Sequence, residues 1–411
     1  MSHICVFEDS QYSQLAPLVH ARATFELRCG FFTFIERINR QYPNTPITLF
    51  CRDYLAGVMQ ERYAYRVNDL GASGEVCLFL NGRAILPIPI SIEGEEEAGV
   101  QDGVVVYVRL KGENIKKVFC DTFLSKDAVV QLKSIVRTVN VKMPMISQFW
   151  DIVNRNKSQI QEDFKQFAKD TSSENRFEGV FLMNKENIFV GNNSRIKPCC
   201  VLDAENGPIY IGDHVTVSPN TTIEGPVFIG DYSIIQPNSR LRGGTNIGAV
   251  CKIGGEVVNT TFHDYSNKQH DGFIGDSCIG SWVNLGANTV NSNLLNTYGS
   301  VKVEVGGELV NTQQMFLGMA MGDHTKTAIN TTIMTGSIFG FATNIIMFPF
   351  PPKYVPSFTW CSNNGMKIYR LDKVLHVAKT VMKRRNKEMT AAEERLFVKI
   401  FQLTEQERNF F

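Results

Sequence analysis

From Ile211 onward an aliphatic residue recurs every six positions, at Ile211, Val217, Ile223, Ile229, Ile235, Leu241, Ile247 and Ile253. Glycine follows at 212, 230, 248 and 254, and Asn or Asp is frequent in the steps between. A period of six fits neither an α-helix nor a simple strand. It is the pattern of a hexapeptide β-helix, in which each repeat gives one short strand and one turn and the aliphatic side chain points into a prism. Gly, Asn and Asp suit the turns because they tolerate positive φ. The register breaks between Val258 and Gln269, which predicts an excursion out of the prism, and resumes at Phe273, Ile279 and Leu285. A second break covers residues 291–315, before a last set at Ile333, Phe339 and Ile345. Loops ejected from a rigid solenoid are where function concentrates.

The flanks read differently. His3–Phe7, Ile47–Cys51 and Val76–Leu80 are short apolar runs with the look of buried strands, and Phe31, Phe34, Ile35 and Ile38 share helical spacing between the first two. Strands alternating with helices predict an α/β layer with a largely parallel sheet. The acidic stretch 93–97 reads as a solvated loop. Trp150, Val153, Ile160, Phe164 and Phe167 form the apolar stripe of an amphipathic connecting helix over 147–169. After Pro351-Pro352, residues Leu371, Val374, Leu375, Ala378, Val381 and Met382 predict a helix, and Thr390 with Glu393 forms a capping box for a second one. The basic cluster Lys383-Arg384-Arg385 reads as a solvated helix end. The predicted organisation is an α/β domain over 1–146, a linker helix over 147–180, the prism over 181–350 and a helical tail over 351–411.

Composition removes several classes of function. Lys plus Arg number 42 against 41 Asp plus Glu in 411 residues, so no long-range positive field gathers nucleic acid. No apolar run is long enough for a membrane span, and the N-terminus lacks the basic and apolar regions of a secretory signal. Ten cysteines without framework spacing fit a reducing cytoplasm. No nucleic acid and no membrane are therefore expected as partners.

Several strings resemble a known family. Hexapeptide prisms of this kind occur in acyltransferases and in the C-terminal halves of sugar nucleotidyltransferases. The chain is most similar to the GlmU-type bifunctional UDP-N-acetylglucosamine pyrophosphorylase and glucosamine-1-phosphate acetyltransferase, in a divergent group with a shortened N-terminal domain. Residues 251–257 (CKIGGEV), 266–273 (SNKQHDGF), 282–287 (WVNLGA), 322–326 (GDHTK) and 351–358 (PPKYVPSF) carry that likeness. The resemblance implies an α/β nucleotidyltransferase-like domain followed by a left-handed parallel β-helix with C-terminal helices. It places His270 in the slot of the general base, an apt choice because an attacking amine must lose a proton and imidazole titrates near neutral pH. Glu256 matches the family glutamate fourteen residues earlier and Asn284 the asparagine fourteen residues later, with Asn293 matching another. Ala287 matches a residue that meets acetyl-CoA. Arg242 matches an arginine that holds the sugar phosphate, a task suited to a planar guanidinium. In the N-terminal domain Pro17, Leu18 and Arg22 partly match the divergent group's loop, and Asn81 and Arg83 its Asn-x-Arg string.

The departures are as specific. The family's phosphate-holding lysine is Val258 here, and two of its tyrosines are Phe273 and Leu294. The stretch Leu15–Arg28 has no glycine where working nucleotidyltransferases of this class carry a glycine-rich loop, and Asn81-Gly82-Arg83 stands where a metal-binding aspartate is expected. The resemblance implies a transferase of nucleotide-sugar synthesis that takes a sugar-1-phosphate, a nucleoside triphosphate with Mg²⁺ and acetyl-CoA as acyl donor, assembled as a homotrimer. Two alternatives stay open: a single active half with the other serving assembly, or a non-catalytic sugar-phosphate sensor or scaffold.

Overall fold

The computed structural model describes residues 2–71, 75–167 and 177–409. The N-terminal part is built on a seven-stranded sheet. Arg66–Val67, Ile47–Phe50, Ser2–Phe7 and Val76–Asn81 lie side by side in that order and run parallel. All three predicted strands are present. The other half of the sheet departs from the parallel expectation, because Val104–Lys111 and Glu97–Gln101 form a hairpin antiparallel to Val76–Asn81. The acidic stretch ends inside this hairpin: Glu97 opens a strand and pairs with Arg109 at 3.2 Å and Arg137 at 3.0 Å, so its charge is held by neighbours instead of being solvated.

Helix Phe34–Gln41 starts at Thr33, whose hydroxyl accepts from the Glu36 amide while Glu36 accepts from the Thr33 amide. Phe31 is not on that helix. It sits in the turn of a small hairpin, Arg28–Cys29 against Phe32–Thr33, and packs on Tyr210 and Phe228 of the prism with centroids 4.6 and 5.0 Å away.

The predicted connecting helix is Phe149–Phe167; residues 168–176 of that expectation lie outside the described residues. This helix is a wedge more than a tether. It buries Asn156 and Asp163 together with Trp150, Val153, Ile160 and Phe164 of its apolar stripe, while Phe167 at its end is exposed. Asn156 Oδ1 accepts from the Gly30 amide at 2.8 Å, its Nδ2 donates to Gly244 O at 2.7 Å, and Asp163 holds Arg37 and the Phe31 amide. Hairpin, helix and prism are thereby stitched by polar groups that would otherwise be buried without partners.

The stacked parallel strands of the hexapeptide left-handed β-helix form three faces. The first runs from Phe181–Met183 to Phe273–Gly275, and the second from Ile188–Val190 to Tyr354–Val355. The third runs from Arg195–Ile196 to Asn267–Lys268 and is carried on by single bridges from Asn267 to Asn284 and from Asn284 to Lys326. All eight periodic aliphatics from Ile211 to Ile253 are fully buried.

The two breaks in the period have different origins. Residues 258–269 do not leave the prism. Thr261–Phe262 and Asn267–Lys268 stack in register on Asn246–Ile247 and Lys252–Ile253. Three residues are missing from that coil, so the sequence period slips while the stack continues. The second break is a true excursion, an antiparallel hairpin of Lys302–Val305 and Glu308–Asn311. The prism also extends past 350, since Thr359–Ser362 pairs with Asn344–Ile346 and folds back on Gly365–Ile368. Helices Leu371–Lys383 and Ala391–Leu403 follow, the second capped by Thr390 and Glu393 and packed on Asp53–Arg62 of the N-terminal domain.

One prism edge, between the second and third faces, has a positive φ at His214, Tyr232, Val250, Tyr265, Trp282, His324 and Phe358. The next edge, between the third and first faces, uses Asn220, Asn238, Asn288 and Asn330 at the equivalent point. Asparagine reaches this conformation easily, whereas a bulky side chain costs about 1–2 kcal/mol there. The aromatics of the first edge are kept for their contacts, against local preference.

Candidate active sites

The candidate residues of the prism fall on adjoining coils. Glu256 opens a first-face strand and pairs in register with Arg240 below and Phe273 above. His270 lies on the turn leading into Phe273, and the Glu256 amide donates to Gly272 O in that same turn at 3.0 Å. Asn284 bridges Asn267, three residues before His270, and Ala287 lies one coil on, where the Asn288 amide donates to Asp271 O. His270 and Asn284 are exposed. Arg242 is half-exposed and reaches Glu256 at 3.4 Å and Glu224 at 3.5 Å, while Arg240 holds Glu256 at 2.8 Å. Arg242 and Glu256 are thus in contact on the first face, and His270, Asn284 and Ala287 lie on the two coils that follow. Asn293 is apart from them, at the far side of the first face, donating to Asp276 at 2.6 Å.

Lys268 is a residue the sequence reading passed over. It occupies an inward position normally filled by an aliphatic, and is 1% exposed. Its Nζ donates to Gly254 O at 2.9 Å and to His270 O at 2.8 Å, which ties the turn carrying His270 to the coil before it. Burial drives its ammonium down from the usual range to about 8. The signal was available in the period: position 268 is six before the buried Ile274.

In the N-terminal domain the chemistry collects where Ser2–Phe7 and Val76–Asn81 end. These neighbouring parallel strands flank the point where the chain reverses its order across the sheet, the place where open α/β sheets bind ligands. Asp9 is the centre of this cluster. Asn81 Nδ2 and Arg83 Nη2 donate to its Oδ2 at 2.7 and 2.6 Å, and Arg83 Nε to its Oδ1 at 3.1 Å. Asn81 and Arg83 are fully buried. Glu8 is likewise buried and held by Arg52, with Nη2 at 2.9 Å. Asp9 and Gln11 line an adjacent cavity of about 360 Å³. Sequence reasoning took Asn81 and Arg83 and missed the acids they serve; the Glu8-Asp9 pair directly after a buried strand was the available signal.

Arg22 is not in this cluster. Its Nη2 donates to both carboxylate oxygens of Asp323, on the prism, at 2.6 and 2.7 Å, and to Ser281 Oγ at 3.0 Å. The loop that carries Arg22 is therefore pinned to the prism through this side chain.

The cluster around Asp9 does not fit a protein-held Mg²⁺. The ion prefers several carboxylate or phosphate oxygens, and the two carboxylates here, Asp9 and Glu8, are already paired with Arg83 and Arg52. Among the described residues no group of three His, Cys, Asp or Glu is placed to hold a metal. No described helix is long and apolar enough to cross a membrane, and all ten cysteines are free.

An α/β domain with its polar cluster at the strand ends, joined to a hexapeptide prism, defines the class. Residues 4–172 match the sugar nucleotidyl transferase family and residues 208–243 the six-repeat bacterial transferase hexapeptide family. The chain is similar, at low identity, to bifunctional proteins that carry both kinds of domain. It is 37% identical over 85 residues to the bifunctional sugar-1-phosphate nucleotidylyltransferase/acetyltransferase of Sulfurisphaera tokodaii, a match covering 21% of each chain. It is 31% identical over 153 residues to the bifunctional protein GlmU of a Cyanothece species, covering 37% of this chain and 29% of that one. These matches span less than a third of the relatives' own length. Among solved structures, an Arabidopsis UDP-N-acetylglucosamine acyltransferase aligns at 12% identity and a TM-score of 0.21, over 56% of this chain and 89% of the other.

Proposed function

We propose that the chain is a two-part transferase of nucleotide-sugar synthesis, with CoA-dependent acyl transfer on the prism as its best-supported activity. The observation that carries this is the placement of His270 between Glu256 and Asn284 on successive coils, with Arg242 one strand away. In this reading His270 removes the proton from a sugar amine as it attacks the thioester carbonyl of acetyl-CoA, and the thiolate of CoA leaves. Asn284 and Glu256 orient the amine and its base, Arg242 holds the sugar phosphate through charge-assisted bonds, and Ala287 leaves room for the acyl donor. His270 and Asn284 are open to solvent on a single chain, and assembly as a homotrimer would supply the missing wall. Asn293, bound to Asp276, would mark the far limit of the site.

The N-terminal half would take a sugar-1-phosphate and a nucleoside triphosphate at the strand ends beside Asp9, with Asn81 and Arg83 shaping the floor. Mg²⁺ would arrive on the triphosphate. Arg22 would act there through the position of its loop, since its side chain is held by Asp323. A cytoplasmic setting would supply all of these substrates.

A second reading makes the prism an assembly arm. Val258 and Phe273 favour it, because they put apolar groups where the family has a phosphate-holding lysine and a hydroxyl. One experiment separates the two. The purified chain is given acetyl-CoA with a panel of amino sugar phosphates, and separately nucleoside triphosphates with sugar-1-phosphates. Thiol release supports acyl transfer; pyrophosphate release without thiol release supports the second reading.

A further inference from the structure

The aromatic edge of the prism faces the N-terminal domain. Tyr265 and Trp282 stack there with centroids 4.2 Å apart and planes within 9°, and Trp282 continues toward His324 at 6.0 Å. Both aromatics are half-buried, against a cavity of about 500 Å³ closed by the N-terminal domain on one side and the C-terminal tail on the other. Three residues that line it each carry a buried polar atom without a hydrogen-bond partner among the described residues: Arg22 Nη1, Arg28 Nε and His324 Nδ1. The three residues are 5, 8 and 7% exposed. Buried polar groups left unpaired are unfavourable, and three on the residues of one cavity, two of them guanidinium donors, call for a polar ligand with acceptor oxygens.

The charge of the wall narrows its chemistry. Arg22 and Arg62 are already neutralised by Asp323 and Glu26, and further acids, among them Glu61 and Glu393, outnumber the remaining cations. A phosphate-rich ligand would meet like charge. A polyhydroxylated ring meets none of these objections. Its C–H face lies on an aromatic surface, its oxygens accept from guanidinium and imidazole groups, and its hydroxyls donate to carboxylates. We infer that this cavity binds a sugar ring, neutral or bearing an amino group, between the N-terminal domain and the prism. It is separate from both proposed reaction centres: it shares no lining residue with the cavity beside Asp9, and His270 lies on a different edge. The strained backbone of Tyr265, Trp282 and His324 is then explained by the platform those side chains build.

The test uses the full chain, with D-glucose, D-glucosamine and inorganic phosphate as probes, followed by calorimetry and by fluorescence of the three tryptophans. Saturable binding of at least one sugar is expected, weakened about tenfold or more in Trp282→Ala and in Arg28→Lys, the latter keeping a cation while removing Nε. His270→Ala is expected to bind the sugar as the wild type does, so failure of the acyl-transfer reading would leave this result intact. Absence of saturable sugar binding, binding of phosphate alone, or sugar binding undiminished in both variants would overturn the inference.

Discussion

Arg22 and Asp323 meet across 301 positions of sequence, with Arg22 Nη2 2.6 Å from one carboxylate oxygen and 2.7 Å from the other. Their side chains are only 6% and 8% exposed. One residue belongs to the loop after the first strand of the α/β domain and the other to a coil of the prism. The pair therefore ties the two halves together, at a residue where family likeness led us to expect a substrate contact.

Removing one partner of such a pair leaves a buried charge uncompensated. Asp323→Ala is expected to lower stability by about 3–5 kcal/mol. The double variant Arg22→Leu with Asp323→Leu is expected to lose much less, since no lone charge remains. Denaturant unfolding of the wild type and the two variants measures this, and a loss in the double variant equal to that of Asp323→Ala would show that the pair acts otherwise.

Gly30 has a φ of +74°, and a Cβ there would fall 2.2 Å from Asp163 Oδ2 and 2.6 Å from Gln159 Cγ. Its amide and carbonyl both bond to asparagines, Asn156 and Asn246. Gly30→Ala is expected to destabilise by at least ~2 kcal/mol, from backbone strain and displacement of the Asp163–Arg37 pair. Thermal unfolding of the variant checks it.

Lys268 predicts a pH dependence. Its folded pKa, about 8, lies below the unfolded value, so between the two the unfolded chain binds more protons. Stability attributable to this group therefore rises with pH from about 8 to 10.5, by roughly 3 kcal/mol if the shift is complete. Below pH 8 its full desolvation penalty is present. Lys268→Met is expected to remove that slope, and unfolding measured at intervals from pH 7 to 10 would reveal it. Because Lys268 also ties down the His270 turn, the variant is expected to lower acyl transfer at neutral pH as well.

Phe31 projects from its hairpin onto Tyr210 and Phe228 and is 3% exposed. Phe31→Ala is expected to cost about 3–5 kcal/mol by loss of burial and of aromatic contact. Thermal unfolding of the variant against the wild type measures the loss.

The prism was legible because its inward side chains are set by a rule that repeats within six residues, and each of Ile211 to Ile253 obeys it. The rule failed where a coil is shortened. Phe262 and Lys268 sit inside the stack, yet their spacing reads as an escape from it. The hairpin at 302–311 and the register break at 258–269 look alike in sequence, and only strand pairing separates them. Asn81 and Arg83 were found through a family string, while Asp9, which gives them their geometry, is marked in the sequence only by its place after a buried strand. Arg22 was assigned by likeness to a phosphate contact because nothing local in the sequence points to Asp323. Long-range ion pairs of this kind have no periodic signature.

The measurement that bears most directly on the account is the rate of CoA release from acetyl-CoA in the presence of an amino sugar phosphate, for the wild type and for His270→Ala. His270 is exposed and makes no side-chain hydrogen bond within the chain among the described residues, so the variant should keep its melting temperature and assembly state. The account predicts turnover by the wild type and a loss of about 100-fold or more in the variant. A folded His270→Ala protein that transfers the acyl group at the wild-type rate would contradict it.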